Sequence, residues 1–370
     1  MFGFRNVILI VSIIVFLLPI ATFSEGLSTK SVPDIYYMSK KDGYYAIFRK
    51  RGHREDVIFD SGSLLRDLPG YAKYQIPYDV SPDGRYVTFS GLSKSGNMDI
   101  FLLEISSNKI INLTRDYYVD TLPVFSHDGR YIAYLSHERG GRYYENLFII
   151  SVDGRVKRRI TRDYFKIVSH SFSPDDSEIL FVKYMPYHSA ISVVDIHSSG
   201  VRDLTNFDYS NRSPSYNNDG RKIVYVSDIR GSFDVWMMDS DGNNKKMIFE
   251  SPGLEYNPRF TPDGKGIYFT SDFVFRKGKA VEGNTIYLYN LETGEVIDLL
   301  DEKFDCKKFF CFNPRFSDDM RFICFEGKIY EEDKNRHFSI YVMDMETGKL
   351  KMIASRKTNA IEPRFGVRSH

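Results

Sequence analysis

What this sequence lacks narrows its chemistry. It holds no G-x-S-x-G elbow, no G-x-x-x-x-G-K-[ST] phosphate loop, no G-x-G-x-x-G turn and no H-E-x-x-H helix. Each motif encodes a local geometry that its reaction needs, so those hydrolase, nucleotide-binding and zinc-protease forms are excluded. Cysteine is scarce: three residues cannot supply the spacing of a metal finger. Neither sign of charge dominates, with 50 basic against 49 acidic residues, and no basic tail or patch stands out. Nucleic-acid binding is therefore not expected. Pro- or Gly-rich linkers and low-complexity tracts are missing, which argues for one domain.

What is present is repetition. Ser81-Pro-Asp-Gly-Arg85 is echoed at Ser126–Arg130, Ser173–Ser177, Asn217–Arg221, Thr261–Lys265 and Ser317–Arg321. Taking Asp83, Asp128, Asp175, Asp219, Asp263 and Asp318 as the central acids gives a period near 45 residues. Turn residues at a fixed phase with that period mark a repeat architecture. In one repeat, Pro123-Val-Phe-Ser126 precedes the Asp-Gly turn and Arg130–Leu135 follows it. Asn146–Val152, a second Asp-Gly turn and Val156–Thr161 complete the unit. Short runs rich in β-branched and aromatic residues, joined by Asp-Gly hairpins, make a four-stranded meander, the blade of a β-propeller.

The second strands align as columns. Val87, Ile132, Ile179, Ile223, Ile267 and Ile323 stand two residues before Phe89, Tyr134, Phe181, Tyr225, Phe269 and Phe325. Blades covered on both faces by their neighbours need such rows, so these residues are read as core. Six repeats are complete. A seventh is split: Ile361-Glu-Pro-Arg-Phe365 matches the opening strand at Asn257–Phe260 and Asn313–Phe316, then stops. Asp34–Met38, Tyr44–Phe48 and Glu55–Phe59 supply three more strands. The expectation is an all-β, seven-bladed propeller whose closing blade is shared between the two ends, with six blades as the alternative. Closure removes the exposed sheet edges.

Residues 1–24 differ in kind. Arg5 is their sole charge, and Val7 to Ile20 is an apolar run broken only by Ser12, followed by small and polar residues. This predicts a secretory signal peptide cleaved after Ser24, with a single propeller domain over 25–370; an uncleaved membrane anchor is the alternative. In an oxidising compartment Cys306 and Cys311 are candidates for a loop disulfide, against two free thiols. Cys324 is read as a buried core residue.

Candidate binding residues fall in two groups. The residue after the opening-strand proline is Arg259, Arg315 and Arg364 in three consecutive blades, and His170 occupies the proline column itself. Three converging arginines favour an anion; the alternative is that each pairs with an acid on the next blade. The loops entering the blades present Tyr117, Tyr118, Tyr164, Tyr209, Arg212 and Tyr256, either as a protein interface or packed under their own loops. Two long segments, Ser271–Asn284 and Glu326–Phe338, are read as loops able to carry function. Asp239-Ser-Asp-Gly-Asn-Asn244 resembles the start of a calcium loop but falls where the other repeats turn, and is read as a turn.

Pro258-Arg-Phe-Thr-Pro-Asp-Gly264, with Asp99-Ile-Phe101 and Leu204-Thr205, resembles the TolB-type propeller repeat. The marks of WD-type repeats are missing. The resemblance implies a periplasmic role: TolB proteins belong to the Tol–Pal envelope system and bind the peptidoglycan-associated lipoprotein through the propeller. They also carry an α/β domain ahead of a six-bladed propeller, for which no room is expected here. The prolyl oligopeptidase group and oligogalacturonate lyase use similar repeats. The hydrolase domain of the first is not expected here, and of the histidine metal ligands of the second only His170 is suitably placed. The reading is an exported, non-enzymatic, monomeric scaffold that binds a protein or cell-envelope component, with no catalytic residue, cofactor or metal expected. A carbohydrate-active or lyase-type enzyme at the channel mouth is the alternative.

Overall fold

The computed structural model describes residues 32–42, 44–61, 77–93, 95–138, 144–162, 165–276, 279–301, 303–329, 337–354 and 360–366. Residues 1–24, read above as a signal peptide, lie outside the described residues. Among those described, no helix is long and apolar enough to cross a membrane.

Seven four-stranded antiparallel sheets form a seven-bladed propeller. Blade 1 joins the C-terminal strand Ile361–Phe365 to Ile35–Lys41, Tyr44–Arg51 and Arg54–Asp60. Ile35 pairs with Phe365, Tyr36 with Arg364 and Met38 with Ile361, so the ring closes through its own two ends as the split repeat predicts. Blades 2 to 5 open at Tyr78–Val80, Tyr118–Phe125, Lys166–Phe172 and Asn211–Tyr216; blades 6 and 7 open at Glu255–Phe260 and Phe309–Phe316.

The Asp-Gly turn has a shared hydrogen-bond scheme. The Ser81 hydroxyl donates to Asp83 (2.7 Å) and accepts from the Tyr86 N–H, while Asp83 accepts from the Arg85 N–H. Gly84 takes φ 68°, the left-handed conformation that glycine enters without penalty. Burial of Asp83 is outweighed by these donors and by Arg85, and its carboxyl is held below the usual range. The sixth copy corrects the sequence reading. Ser317 bonds to Asp319, not Asp318, and Met320 at φ 61° takes the glycine's place. Without the glycine the two neighbouring acids offered no way to choose the phase.

The cores lie between blades. Ile132 and Tyr134 of blade 3 pack on Ile100 and Leu102 of blade 2. Ile179 and Phe181 of blade 4 pack on Ala133, Leu135, Leu147 and Ile149 of blade 3. The same arrangement places Ile223 and Tyr225 on blade 4, Ile267 and Phe269 on blade 5, and Ile323 and Phe325 on blade 6. Val87 and Phe89 pack on blade 1. Ile35 against Phe322, Cys324 and Val342 completes the circuit. Phe89, Phe181, Phe269 and Phe325 are fully buried, as their column demands.

One segment departs from expectation. Ser271–Asn284 is not a loop: strands Gly266–Arg276 and Lys279–Asn290 continue as a paired hairpin from Phe273↔Glu282 to Arg276↔Lys279. Its Phe-Val-Phe and Ala-Val runs carry strand propensity that the flanking charges masked. In the other segment read as a loop, Glu326–Ile329 extends a strand, and 330–336 lie outside the described residues.

Candidate functional site: the channel and the loop face

The innermost strands line a central channel. In five of them a β-bulge falls where a non-glycine residue with positive φ precedes the proline. These residues are Leu122 (53°), Ser213 (50°), Asn257 (49°), Asn313 (49°) and Glu362 (54°). A residue before proline is pushed towards extended backbone, and left-handed conformations away from glycine cluster at functional sites. The bulge turns these side chains into the channel, where they form a belt. The Ser213 hydroxyl lies 3.1 Å from Asn257 Oδ1, Asn257 Nδ2 3.5 Å from Asn313 Oδ1, and Asn313 Nδ2 2.7 Å from Glu326 Oε1. The Glu362 N–H donates to the same Glu326 oxygen, and Tyr78 OH donates to the Glu362 carbonyl.

The three arginines do not behave alike. Arg364 reaches across to blade 2 and pairs with Asp79 at 2.5 Å, with its guanidinium over the Tyr78 ring. Asp79 also accepts from the Phe125 N–H, so Arg364 braces blades 1 to 3. Arg315 donates Nη1 to the Pro314 carbonyl at 2.9 Å. Burial and nearby Arg364 lower its pKa. Arg259 has no hydrogen-bond or ion-pair partner among the described residues. The charge of Arg315, together with burial and Arg364, holds Arg259 down to about 9. The channel has two adjoining parts of about 730 and 250 Å³; Arg259 lines the larger, Arg315 the smaller, and Arg364 and His170 both. Burial pushes the His170 imidazole down to about 4, and its Nδ1 has no partner.

The loops leading from one blade to the next and those between second and third strands share one face, opposite the Asp-Gly turns. Tyr117 is 89% exposed and Tyr187 85%, with Tyr118, Tyr209 and Phe275 also exposed. All five stand on this face, and they are the exposed aromatics among the described residues. The Arg212 guanidinium stacks over Phe233 at 4.5 Å. Tyr256 is half-buried, its hydroxyl 3.4 Å from Asp272. Tyr164 lies outside the described residues. The threonine of the repeated loop entry is scaffold: Thr114, Thr161 and Thr205 each accept a backbone N–H, from Ile100, Leu147 and Ile191.

Cys306, Cys311 and Cys324 are buried free thiols, and Cys306 and Cys311 are not bonded to each other. Cys311 donates both its N–H and its thiol to Asn284 Oδ1, and Cys306 packs on Gly283, where an added Cβ would meet its sulfur at 2.7 Å. Asp239–Asn244 is a turn, with Asn244 donating to Asp239.

Sequence reasoning missed a column of polar pairs between blades, each joining a third strand to the next blade's opening strand. Ser189 with Asn211 and Asn284 with Cys311 are neutral pairs. Two others are paired acids. Asp99 and Asp120 are buried and come within 4.8 Å of each other and of Asp116. Of the described residues, these three acids alone are grouped so as to offer a metal three ligand atoms, but Lys157 already pairs with Asp116. In blade 5, Asp234 faces Glu255 of blade 6, and both are fully buried. Burial pushes all three up: Asp120 to about 6 with the charge of Asp116 added, Asp234 to about 6 with that of Glu250, and Glu255 to about 7 with those of Asp234 and Asp272. The readable signal was an acid three residues before the opening proline, at Asp120 and Glu255.

The profile of the TolB beta propeller domain matches residues 142–302. The Tol-Pal system protein TolB of Bordetella pertussis is 28% identical over 235 residues, covering 63% of this chain and 50% of that one. The chain is a TolB-like β-propeller. It spans about half the length of the curated relatives it matches. Two solved structures share its fold. A Mycobacterium tuberculosis puromycin-hydrolyzing peptidase superposes with TM-score 0.65 at 13% identity, covering 89% of this chain and 54% of that one. The oligogalacturonate lyase of Vibrio parahaemolyticus superposes at 0.60 and 15% identity, covering 88% and 87%. At such identities the likeness speaks for the propeller alone. In the TolB-like ring, His170 and His127 are the histidines that line the larger channel compartment, and His127 is bound to Asp176.

Proposed function

We propose that this chain is an exported, non-enzymatic scaffold that binds a protein partner of the cell envelope through the face bearing Tyr117, Tyr118, Tyr187 and Tyr209. The observation that carries this is the segregation of exposed aromatics to one face, since tyrosine anchors are favoured at protein interfaces. The relatives' name supports a component of the Tol-Pal system as the partner and the periplasm as the compartment. In this reading residues 1–24 are removed on export and 25–370 act as a monomeric propeller. Affinity capture from envelope extracts tests it. The wild-type chain retains a partner; Tyr117→Ala with Tyr209→Ala loses it while melting unchanged. Capture of no partner, or equal capture by both forms, overturns the reading. An intact leader on the chain recovered from the envelope overturns the export step.

A further inference from the structure

We propose that the larger channel compartment is a binding site for a small carboxylate or phosphate anion, anchored by Arg259 beside the Asn257 amide and the hydroxyls of Ser213 and Ser215. This site is distinct from the loop face and does not depend on what that face binds.

The argument begins with charge. A guanidinium in a confined channel normally finds a carboxylate. Arg364 does so at Asp79, which the Phe125 N–H also occupies, so Asp79 is committed. Glu326 and Glu362 lie nearer Arg315, where Glu326 is engaged by Asn313 and by the Glu362 N–H. Arg259 is left facing two other arginines, with no carboxylate acting on it. A structure that needed Arg259 only for bracing would supply a counter-charge. A site that takes its counter-charge from solution would not.

The geometry fits a ligand. The cavity of about 730 Å³ is lined by Ser169, Ser171, Ser213, Ser215 and Asn257 as well as Arg259, so its walls offer donors and acceptors around one cationic anchor. The belt holds Ser213, Asn257 and Asn313 at positive φ in three successive blades, which fixes their side chains towards the axis. An unpaired guanidinium set among fixed polar side chains recognises the oxygens of a carboxylate or phosphate. The His170 imidazole also lines the compartment, is neutral at physiological pH and adds an uncharged hydrogen-bonding group.

Calorimetric titration of the full chain with inorganic phosphate and with acetate, at ionic strength held constant with chloride, tests this. Saturable binding of one equivalent of either anion is expected. Arg259→Gln should weaken it by at least about tenfold, the loss of one charge-assisted contact, and Arg259→Lys should keep part of it. Without added anion, Arg259→Gln should melt above wild type, because a like-charge repulsion is relieved. No saturable binding by either anion, or equal binding by Arg259→Gln, overturns the proposal. So does an anion-free Arg259→Gln protein that melts well below wild type, which would mark Arg259 as a brace. Binding only of an acidic peptide, with both small anions inert, would place the channel within a protein interface and overturn the small-ligand site.

Discussion

Glu255 is replaced by glutamine in the most discriminating stability test. Its Oε1 accepts from the Ser251 hydroxyl at 2.6 Å and the Ser271 hydroxyl at 2.9 Å, and glutamine keeps that acceptor. Its Oε2 has no partner, while Asp234 stands across the blade interface, so the new amide gains a donor where an oxygen was stranded. Burial, reinforced by Asp234 and Asp272, raises the Glu255 carboxyl from 4.5 to about 7. An acid with a raised pKa is protonated more in the folded than in the unfolded chain. Its contribution is fully present below the unfolded value and is lost as pH rises through the folded one. At pH 8 the ionised wild type has lost about 3 kcal/mol relative to a neutral side chain. At pH 5 the loss is under about 1 kcal/mol. Glu255→Gln should therefore be more stable than wild type by up to about 3 kcal/mol at pH 8, a melting-temperature rise of about 5 °C. The gain should shrink towards zero at pH 5. Buried His170 acts in the opposite direction over this range, but it is common to both proteins and cancels in the difference. Scanning calorimetry from pH 5 to 8 reads the effect. An equal shift at both ends of the range, or destabilisation at pH 8, would refute the buried-acid argument.

Other outcomes follow from the same structure. Deleting residues 361–370 removes the strand paired with Ile35–Met38, together with the Arg364–Asp79 and Tyr78–Glu362 contacts, and should lower the melting temperature sharply; a harmless deletion would refute closure by the two ends. The three buried thiols should resist a thiol reagent in the native protein and react as three equivalents on unfolding, with burial pushing Cys311 and Cys324 up. A mass two hydrogens lower, with one reactive thiol after denaturation, would show a Cys306–Cys311 bond instead.

Much of the ring was legible because its period is enforced twice, by turn chemistry and by columns that meet a neighbour on each face. Phe181 and Ile179 announce burial through their spacing, and Ile361–Phe365 announces closure by repeating the opening strand whose partners stand at residues 34–59. The sixth turn misled because Met320 replaces the glycine and two aspartates compete for one role. The hairpin over Ser271–Asn284 was hidden by charge. The site was less legible for a different reason. That Arg364 finds Asp79 while Arg259 finds nothing depends on which blade lies next around the axis, and on an acid nearly the whole chain away in sequence. The acid pairs Asp99–Asp120 and Asp234–Glu255 join successive blades, so neither member looks unusual until the interface is seen.

The closing blade also imposes an order on events. Ile35–Asp60 is made early, yet its inner edge waits for Ile361–Phe365, which follows every other blade along the chain. Six blades can stack as they emerge, each upon the one before, but the ring cannot lock until Ile361–Phe365 has been made. The seventh interface is thus a late step with the greatest separation along the chain, the kind that folds slowly. A chain interrupted just before residue 361 would hold most of its blades and no closed channel. Because the Gly366 N–H bonds to the Asp34 carbonyl, anything joined to either end would leave the ring from one place, beside the blade that seals it.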